Sequence, residues 1–311
     1  MRYNIKLAAL MLGMFLITQL IGLAVINSYS PITKEVINST GGKENLTSYN
    51  LPFGTEPPSG IAPQTSLLSI IISIAIAVCL MLMLMKFRAE RFLRYWFFFV
   101  VTLALAITIN SFLIGIEYSS LIALIIALPF SIIKVFKRNI IIHNLTELAI
   151  YPGIAAIFVP LLNVLAVFVL LILISIYDMY AVWKAGFMQK MAKYQIEKVR
   201  IFSGFLIPYL GKKEQAIALK LKNSKGKGKN KKIKVSIALL GGGDVVFPLI
   251  LAGVVFRALG IFPALIVVIG AALALSTLLL FSKKGKAYPA MPFITLGCLA
   301  ALALIYLLYG F

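Results

Sequence analysis

Two aspartates are the residues of this sequence whose type and position could support chemistry. Of ten acidic side chains in 311 residues, only Asp178 and Asp244 are aspartates, and each lies inside a long apolar run. An ionisable group within a bilayer costs at least about 2.5–3.5 kcal/mol, so it persists where it faces a partner or a cavity. Two carboxyl groups in one low-dielectric site tend to share a proton. The ionised group could then take a proton from water while the protonated group polarises a carbonyl.

The nearest basic residues indicate that the two aspartates lie at comparable depth. Asp178 is six residues before Lys184, and Asp244 is ten residues after Lys234. Along a helix axis these separations are about 9 Å and about 15 Å. If the two apolar runs form consecutive antiparallel helices, the carboxyl groups can therefore meet near one membrane face.

Three consecutive glycines, Gly241, Gly242 and Gly243, precede Asp244. Glycine weakens a helix because it has a large backbone entropy and no side chain to pack. The run indicates that another group comes close to this backbone. Packing between helices through small residues is one interpretation; the approach of a substrate near the aspartate is the other.

The elements that would position these residues are membrane spans. The chain is 61% hydrophobic and only 13% charged, which excludes a soluble globular domain. Because a spanning helix needs about 20 apolar residues, we predict an all-α membrane protein with nine transmembrane helices. The candidate spans lie near 7–27, 67–85, 95–116, 120–136, 146–159, 161–183, 235–256, 261–281 and 288–310.

The basic residues predict the orientation of these spans. All but three of the 30 lysines and arginines fall in alternate connections, and the exceptions are Lys34, Lys43 and Arg257. Since the basic side is cytoplasmic, we expect a cytoplasmic N-terminus and an external C-terminus. Loop 28–66 is then external, and its sequons at Asn38 and Asn45 could accept glycan.

The charge distribution also predicts three parts. Residues 1–183 form a six-span part that carries Asp178, and residues 235–311 form a three-span part that carries Asp244. Between them, residues 184–234 hold half of the basic residues and end in a lysine- and glycine-rich run. We expect a flexible cytoplasmic loop there that is attracted to the lipid bilayer rather than to nucleic acid.

Other chemistries find little support in the sequence. A single histidine, His143, cannot supply two zinc ligands, and Cys79 and Cys298 lie in apolar runs that imply no metal or disulfide site. We expect no metal and no cofactor. His143 is interpreted as a solvated loop residue. Glu147 is interpreted as an interfacial residue near Lys137 and Arg138, with support of the two aspartates as the alternative role.

Three short motifs resemble those of a known family, the presenilin and signal peptide peptidase intramembrane aspartyl proteases, most closely their archaeal homologues. The motifs are Tyr177-Asp178, Gly241-Gly242-Gly243-Asp244 and Pro289-Ala290-Met291. The resemblance implies that Asp178 and Asp244 are the catalytic dyad and that the proline motif shapes the substrate site.

The proline motif has Met291 where the family has leucine, a change that nearly conserves volume. A second match, Pro263-Ala264-Leu265, is rejected because it starts the eighth span at the external face.

The family resemblance implies an endopeptidase that cleaves transmembrane helices of membrane-protein or signal-peptide substrates in the cell membrane of a prokaryote. Partner subunits are not implied, and an oligomer is possible. We also hypothesise that the start of segment 232–238 forms a strand edge when substrate binds. Two alternatives stay open: a proton- or ion-coupled transporter that uses both aspartates as relay sites, and an insertion or scaffold factor that uses the basic loop.

Overall fold

The computed structural model describes residues 5–37, 43–48, 51–56, 63–87, 89–137, 139–183, 202–209, 236–282 and 288–310. Within them lie nine α-helices: α1 Ile5–Ser28, α2 Pro63–Lys86, α3 Glu90–Ser111, α4 Ser119–Ile132, α5 Ile140–Phe158, α6 Val164–Trp183, α7 Gly243–Leu259, α8 Ile261–Phe281 and α9 Met291–Tyr309. The described strands are β1 Ile32–Ile37, β2 Lys43–Ser48, β3 Gly204–Tyr209 and β4 Ser236–Gly241.

Seven helices of the described chain are long and apolar enough to cross a membrane: α1, α3, α4 with the π-helical turn Ile133–Lys137 that continues it, α5, α6, α8 and α9. The helical membrane architecture predicted from composition is therefore confirmed. α7 has 17 residues, and α2, which is mostly apolar over residues 67–85, is not among these seven. A crossing by all nine helices stays a prediction.

Helix α7 lies in the middle of the bundle. It contacts α1, α5, α6, α8 and α9, and Leu249, Leu251 and Val255 along it are fully buried. A Cβ at Gly253 would collide with Ile26 of α1 and Val159 after α5, so this small residue permits close helix packing. The helix that follows Asp244 is thus enclosed by protein.

The prediction of a helix at the N-terminal end of the seventh span is wrong. Instead of a helix from residue 235, Ser236–Gly241 forms β4, and α7 begins only at Gly243. The alternating, β-branched approach to the glycines favours a strand, and antiparallel pairing with β3 satisfies its backbone groups. β4 includes the end of segment 232–238, whereas residues 232–235, the start that the sequence hypothesis tied to substrate binding, are outside the described residues.

The strand pairs also refine two other predictions. β3 lies inside the predicted flexible loop 184–234, of which residues 184–201 and 210–234 are outside the described residues. In the loop 28–66, β1 pairs with β2 in an antiparallel ladder. Asn45 belongs to β2, and Asn38 is outside the described residues. The all-α prediction therefore holds for the spanning elements and misses two small sheets.

Candidate active site

Asp178 lies on α6, where the N-terminus of α9 meets it. Its Oδ2 accepts the Met291 N–H at 3.2 Å, and the Ala290 N–H also bonds to the carboxyl group. The first N–H groups of a helix have no partner within that helix, and the helix dipole favours an anion beside them. Asp178 is only 4% exposed. Its carboxyl group therefore fixes the position of α9 relative to α6.

One turn before Asp178, a second polar contact joins the same two helices. The hydroxyl groups of Ser175 and Thr295 are 2.6 Å apart, and both residues are buried. A buried hydroxyl pair satisfies two groups that would otherwise be costly in an apolar interior. α6 and α9 are thus joined at Asp178 and also one helical turn before it.

Asp244 lies in the first turn of α7, directly after the glycines. The backbone of Gly241 hydrogen-bonds to its carboxyl group, and Asp178 acts on it electrostatically. α6 and α7 contact each other. Asp178 is buried, whereas Asp244 is half-buried. The only two aspartates of the sequence therefore lie on contacting helices, within electrostatic range of each other.

The glycines before Asp244 are explained by close approach rather than by unusual backbone angles. A Cβ at Gly241 would lie 3.0 Å from Asp244 Oδ2, and one at Gly242 would lie 2.8 Å from the hydroxyl oxygen of Tyr151. At Gly243 the nearest atom would be at 3.5 Å, an ordinary contact. The predicted close approach is confirmed at the first two glycines and is absent at the third.

The remaining motif residues lie beside the aspartates. Pro289 and Ala290 lead into α9, and Met291 is its first residue. Tyr177 precedes Asp178 and is 40% exposed. The rejected motif at Pro263 is in the first turn of α8, just beyond the end of α7 that is remote from Asp244.

Two residues were wrongly placed by sequence reasoning. His143, predicted as a solvated loop residue, lies in α5 and is 8% exposed; Glu147, predicted at the interface, is fully buried. Glu147 pairs with Lys134 at 2.6 Å. Lys134 and Glu147 fall within the predicted spans 120–136 and 146–159, so the rule that identified the aspartates as intramembrane ionisable groups applies equally to them.

Gln19 of α1 was also missed. It is fully buried, and its Nε2 donates to the carbonyl oxygen of Val245 at 2.9 Å, next to Asp244. Its signal was an amide side chain in the middle of the predicted span 7–27. Through this bond α1 contacts the first turn of α7.

Fold and site together define a helical membrane protein with one aspartate on each of two contacting helices. Residues 53–310 match the family model described as signal-peptide peptidase, presenilin aspartyl protease. The chain therefore belongs to the signal-peptide peptidase and presenilin family of aspartyl proteases.

Solved structures of a presenilin family intramembrane aspartate protease have a similar fold. In the C222 space group that protein is 19% identical, with a TM-score of 0.57 over 96% of this chain and 99% of the other. In the P2 space group the identity is 18% and the TM-score 0.57, over 94% and 96% of the two chains. A comparison with curated proteins finds no match.

Proposed function

We propose that this protein is an intramembrane aspartic endopeptidase that cleaves transmembrane helices of membrane-protein substrates, with Asp178 and Asp244 as its dyad. The observation that carries the proposal is that the two aspartates lie on contacting helices, α6 and α7, with Asp178 close enough to act electrostatically on Asp244. Membership of the aspartyl protease family supports the same reaction.

The reaction needs one water molecule between the two carboxyl groups. The ionised aspartate takes a proton from this water, and the protonated aspartate polarises the scissile carbonyl. Hydroxide then adds to the carbonyl carbon, and return of the proton to the amide nitrogen releases both fragments. The two aspartates share this proton, so its titration is a property of the pair rather than of either residue.

A substrate strand needs an open sheet edge, and the pairing of β3 indicates which edge is open. The backbone groups of Gly204 and Leu206 bond to side chains of α5. Because alternate residues of an antiparallel strand direct their backbone groups to opposite edges, those of Phe205 and Ile207 are directed to β4.

The register then places the open edge on β4. Leu240 and Ala238 are the partners of the β3 residues whose backbone groups face β4. The backbone groups of Leu239 between them therefore point away from β3, and Leu239 is 43% exposed. No third strand pairs with β4 in the described part of the chain. An unwound substrate added here by β-augmentation would run alongside the segment that leads to Asp244.

The proposal includes a topology and a location. Nine spans, a cytoplasmic N-terminus and an external C-terminus place the dyad nearer the cytoplasmic face, and the division into parts 1–183, 184–234 and 235–311 follows from it. The distribution of basic residues supports this orientation. We place the protein in the cell membrane of a prokaryote, as an enzyme without obligatory partner subunits, by extension from the archaeal homologues that its motifs resemble.

The test is cleavage of a single-span model substrate by the purified protein in detergent, followed by mass spectrometry of the products. Asp178→Asn and Asp244→Asn should each lower the rate by about three orders of magnitude or more. A transition-state mimic that carries a hydroxyl group should block the wild type.

The matched control for this test is Glu90→Gln, which neutralises a carboxylate at the first residue of α3. It should cleave like the wild type. Retained cleavage in either aspartate variant would contradict the dyad assignment, and an inactive wild type would contradict the proposed function.

A further inference from the structure

A cluster of buried polar side chains lies on α5 and on the π-helical turn before it, outside the aspartate pair. Lys134 Nζ and Glu147 Oε1 are 2.6 Å apart, and their side chains are 1% and 0% exposed. A buried ion pair is weak evidence for stability, since well-packed apolar residues often serve as well. The presence of this ion pair inside a membrane bundle therefore indicates a role other than stabilising the fold.

The hydrogen bonds of His143 give its tautomer. Its Nδ1 lies 3.4 Å from Lys134 Nζ, which can only donate, so Nδ1 is the acceptor. The ring proton is then on Nε2, which donates to the carbonyl oxygen of Gly204 at 2.8 Å. This assignment rests on the hydrogen-bond network. The lysine thus orients the imidazole toward β3.

Two further side chains of α5 bind the same strand. Glu147 Oε1 accepts the Gly204 N–H at 3.3 Å. Asn144 donates through Nδ2 to the carbonyl oxygen of Leu206 at 2.8 Å and accepts the Leu206 N–H on Oδ1 at 2.9 Å. Both backbone groups of Gly204 and of Leu206 are therefore satisfied by α5.

The three side chains of α5 can all reach β3 because they share one face of the helix. Positions 143, 144 and 147 are spaced by three and four residues, which places them side by side on α5. An unpaired strand edge is not tolerated in an apolar interior, and here three side chains take the place of a third strand. Tyr151, one turn further along α5, packs edge-on against Phe205 of β3.

Position 204 requires a glycine, because of both its backbone angle and the lack of space for a side chain. Its φ is +143°, and a Cβ there would collide with the carbonyl oxygen of Leu240 and with Phe202. Gly204 is also paired with Gly241 in the register. The residue that His143 and Glu147 hold is therefore directly opposite the glycine that contacts Asp244.

We propose that Lys134, His143, Asn144 and Glu147 form a polar clamp that positions the substrate-binding strand. The clamp closes the outer edge of β3, so that substrate adds only to β4, and it fixes the register of β4 relative to Asp244. Its members are positioning residues, because they act on the site through β3 rather than on the reacting atoms. This inference rests on the proposed protease function.

The test combines hydrogen exchange with product analysis, in full-length protein. Asn144→Leu has a similar size and loses both bonds to Leu206, and Asn144→Asp keeps the acceptor but opposes the carbonyl oxygen of Leu206 with another oxygen. The matched control is Thr146→Val, because the Thr146 hydroxyl is also buried on α5 but bonds only to its own helix.

We expect both Asn144 variants to lose amide protection in peptides that contain Gly204–Tyr209 and Ser236–Gly241. KM for the model substrate should rise by about tenfold, in line with two lost hydrogen bonds, and the set of cleavage positions should widen. Thr146→Val should match the wild type in all three measurements. A change of cleavage position would not follow from reduced stability alone.

Three results would overturn the clamp. Unchanged amide protection in Asn144→Leu would show that Asn144 does not hold β3. A loss of protection with unchanged KM and cleavage positions would show that the clamp does not position substrate. An Asn144→Asp variant that behaves like the wild type would show that the paired amide is unnecessary. If the wild type does not cleave at all, the positioning role fails with the proposed function, while hydrogen exchange still decides whether Asn144 holds β3.

Discussion

The two aspartates are held in place by different parts of the chain. Asp178 is part of a continuous helix, and its carboxyl group bonds to the N–H of Met291, 113 residues away. Asp244 follows a strand that ends three residues earlier, and its carboxyl group bonds to the backbone of Gly241. One acid is thus fixed by distant tertiary contacts, and the other by its own local segment.

Because of this difference, each aspartate can be displaced without displacing the other. A change in the glycine segment moves Asp244 and leaves Asp178 in place. A change between α6 and α9 moves the surroundings of Asp178 and leaves the glycine segment intact. Variants can therefore be chosen to disturb one aspartate at a time.

Among the variants that keep both aspartates and test this comparison, the largest effect is expected from Gly241→Ala, which disturbs only Asp244. The new methyl group would lie 3.0 Å from Asp244 Oδ2, so the carboxylate must shift by a few tenths of an ångström. Since a displacement of about 1 Å can lower the rate about 100-fold, this smaller shift should lower kcat for the model substrate by about tenfold. Gly243→Ala is the control, because its methyl group would meet Phe247 only at ordinary distance. Equal losses in the two variants would contradict the local fixation of Asp244.

A smaller effect is expected from Ser175→Ala, which disturbs only the surroundings of Asp178. The change leaves the Thr295 hydroxyl buried without its partner, and the free energy of unfolding should fall by about 1–2 kcal/mol. The double variant Ser175→Ala and Thr295→Val should recover part of this loss. The control is Ser276→Ala on α8, where the exposed hydroxyl bonds to its own helix. Chemical denaturation measures the difference, and no loss beyond that of the control would contradict the contact.

The smallest effect is expected from Met291→Leu. Met291 contacts Asp178 through its backbone N–H, and leucine conserves the apolar volume of the buried side chain. Cleavage rate and KM should therefore stay within about twofold of the wild type. A larger change, measured with the same substrate, would show that the methionine side chain itself contributes to the substrate site.

The success of the sequence predictions follows the same division between local and distant contacts. The apolar helices are local signals, and the sequence contains them directly, although the seventh was predicted from residue 235 and begins only at Gly243. The placement of β3 was missed, because its strand depends on side chains of α5 about 60 residues earlier, such as the bond from His143 to Gly204. His143 and Glu147 were misplaced for that reason.

The sequence by itself determined a helical membrane protein and predicted two aspartates within its spans, because apolar length and the high cost of a buried charge are properties of each segment alone. Only the tertiary structure decided that α9 binds Asp178, that β4 is already a strand, and that α5 closes the edge of β3. Those outcomes depend on which unsatisfied backbone groups meet which polar side chains, and such meetings arise only when distant segments pack.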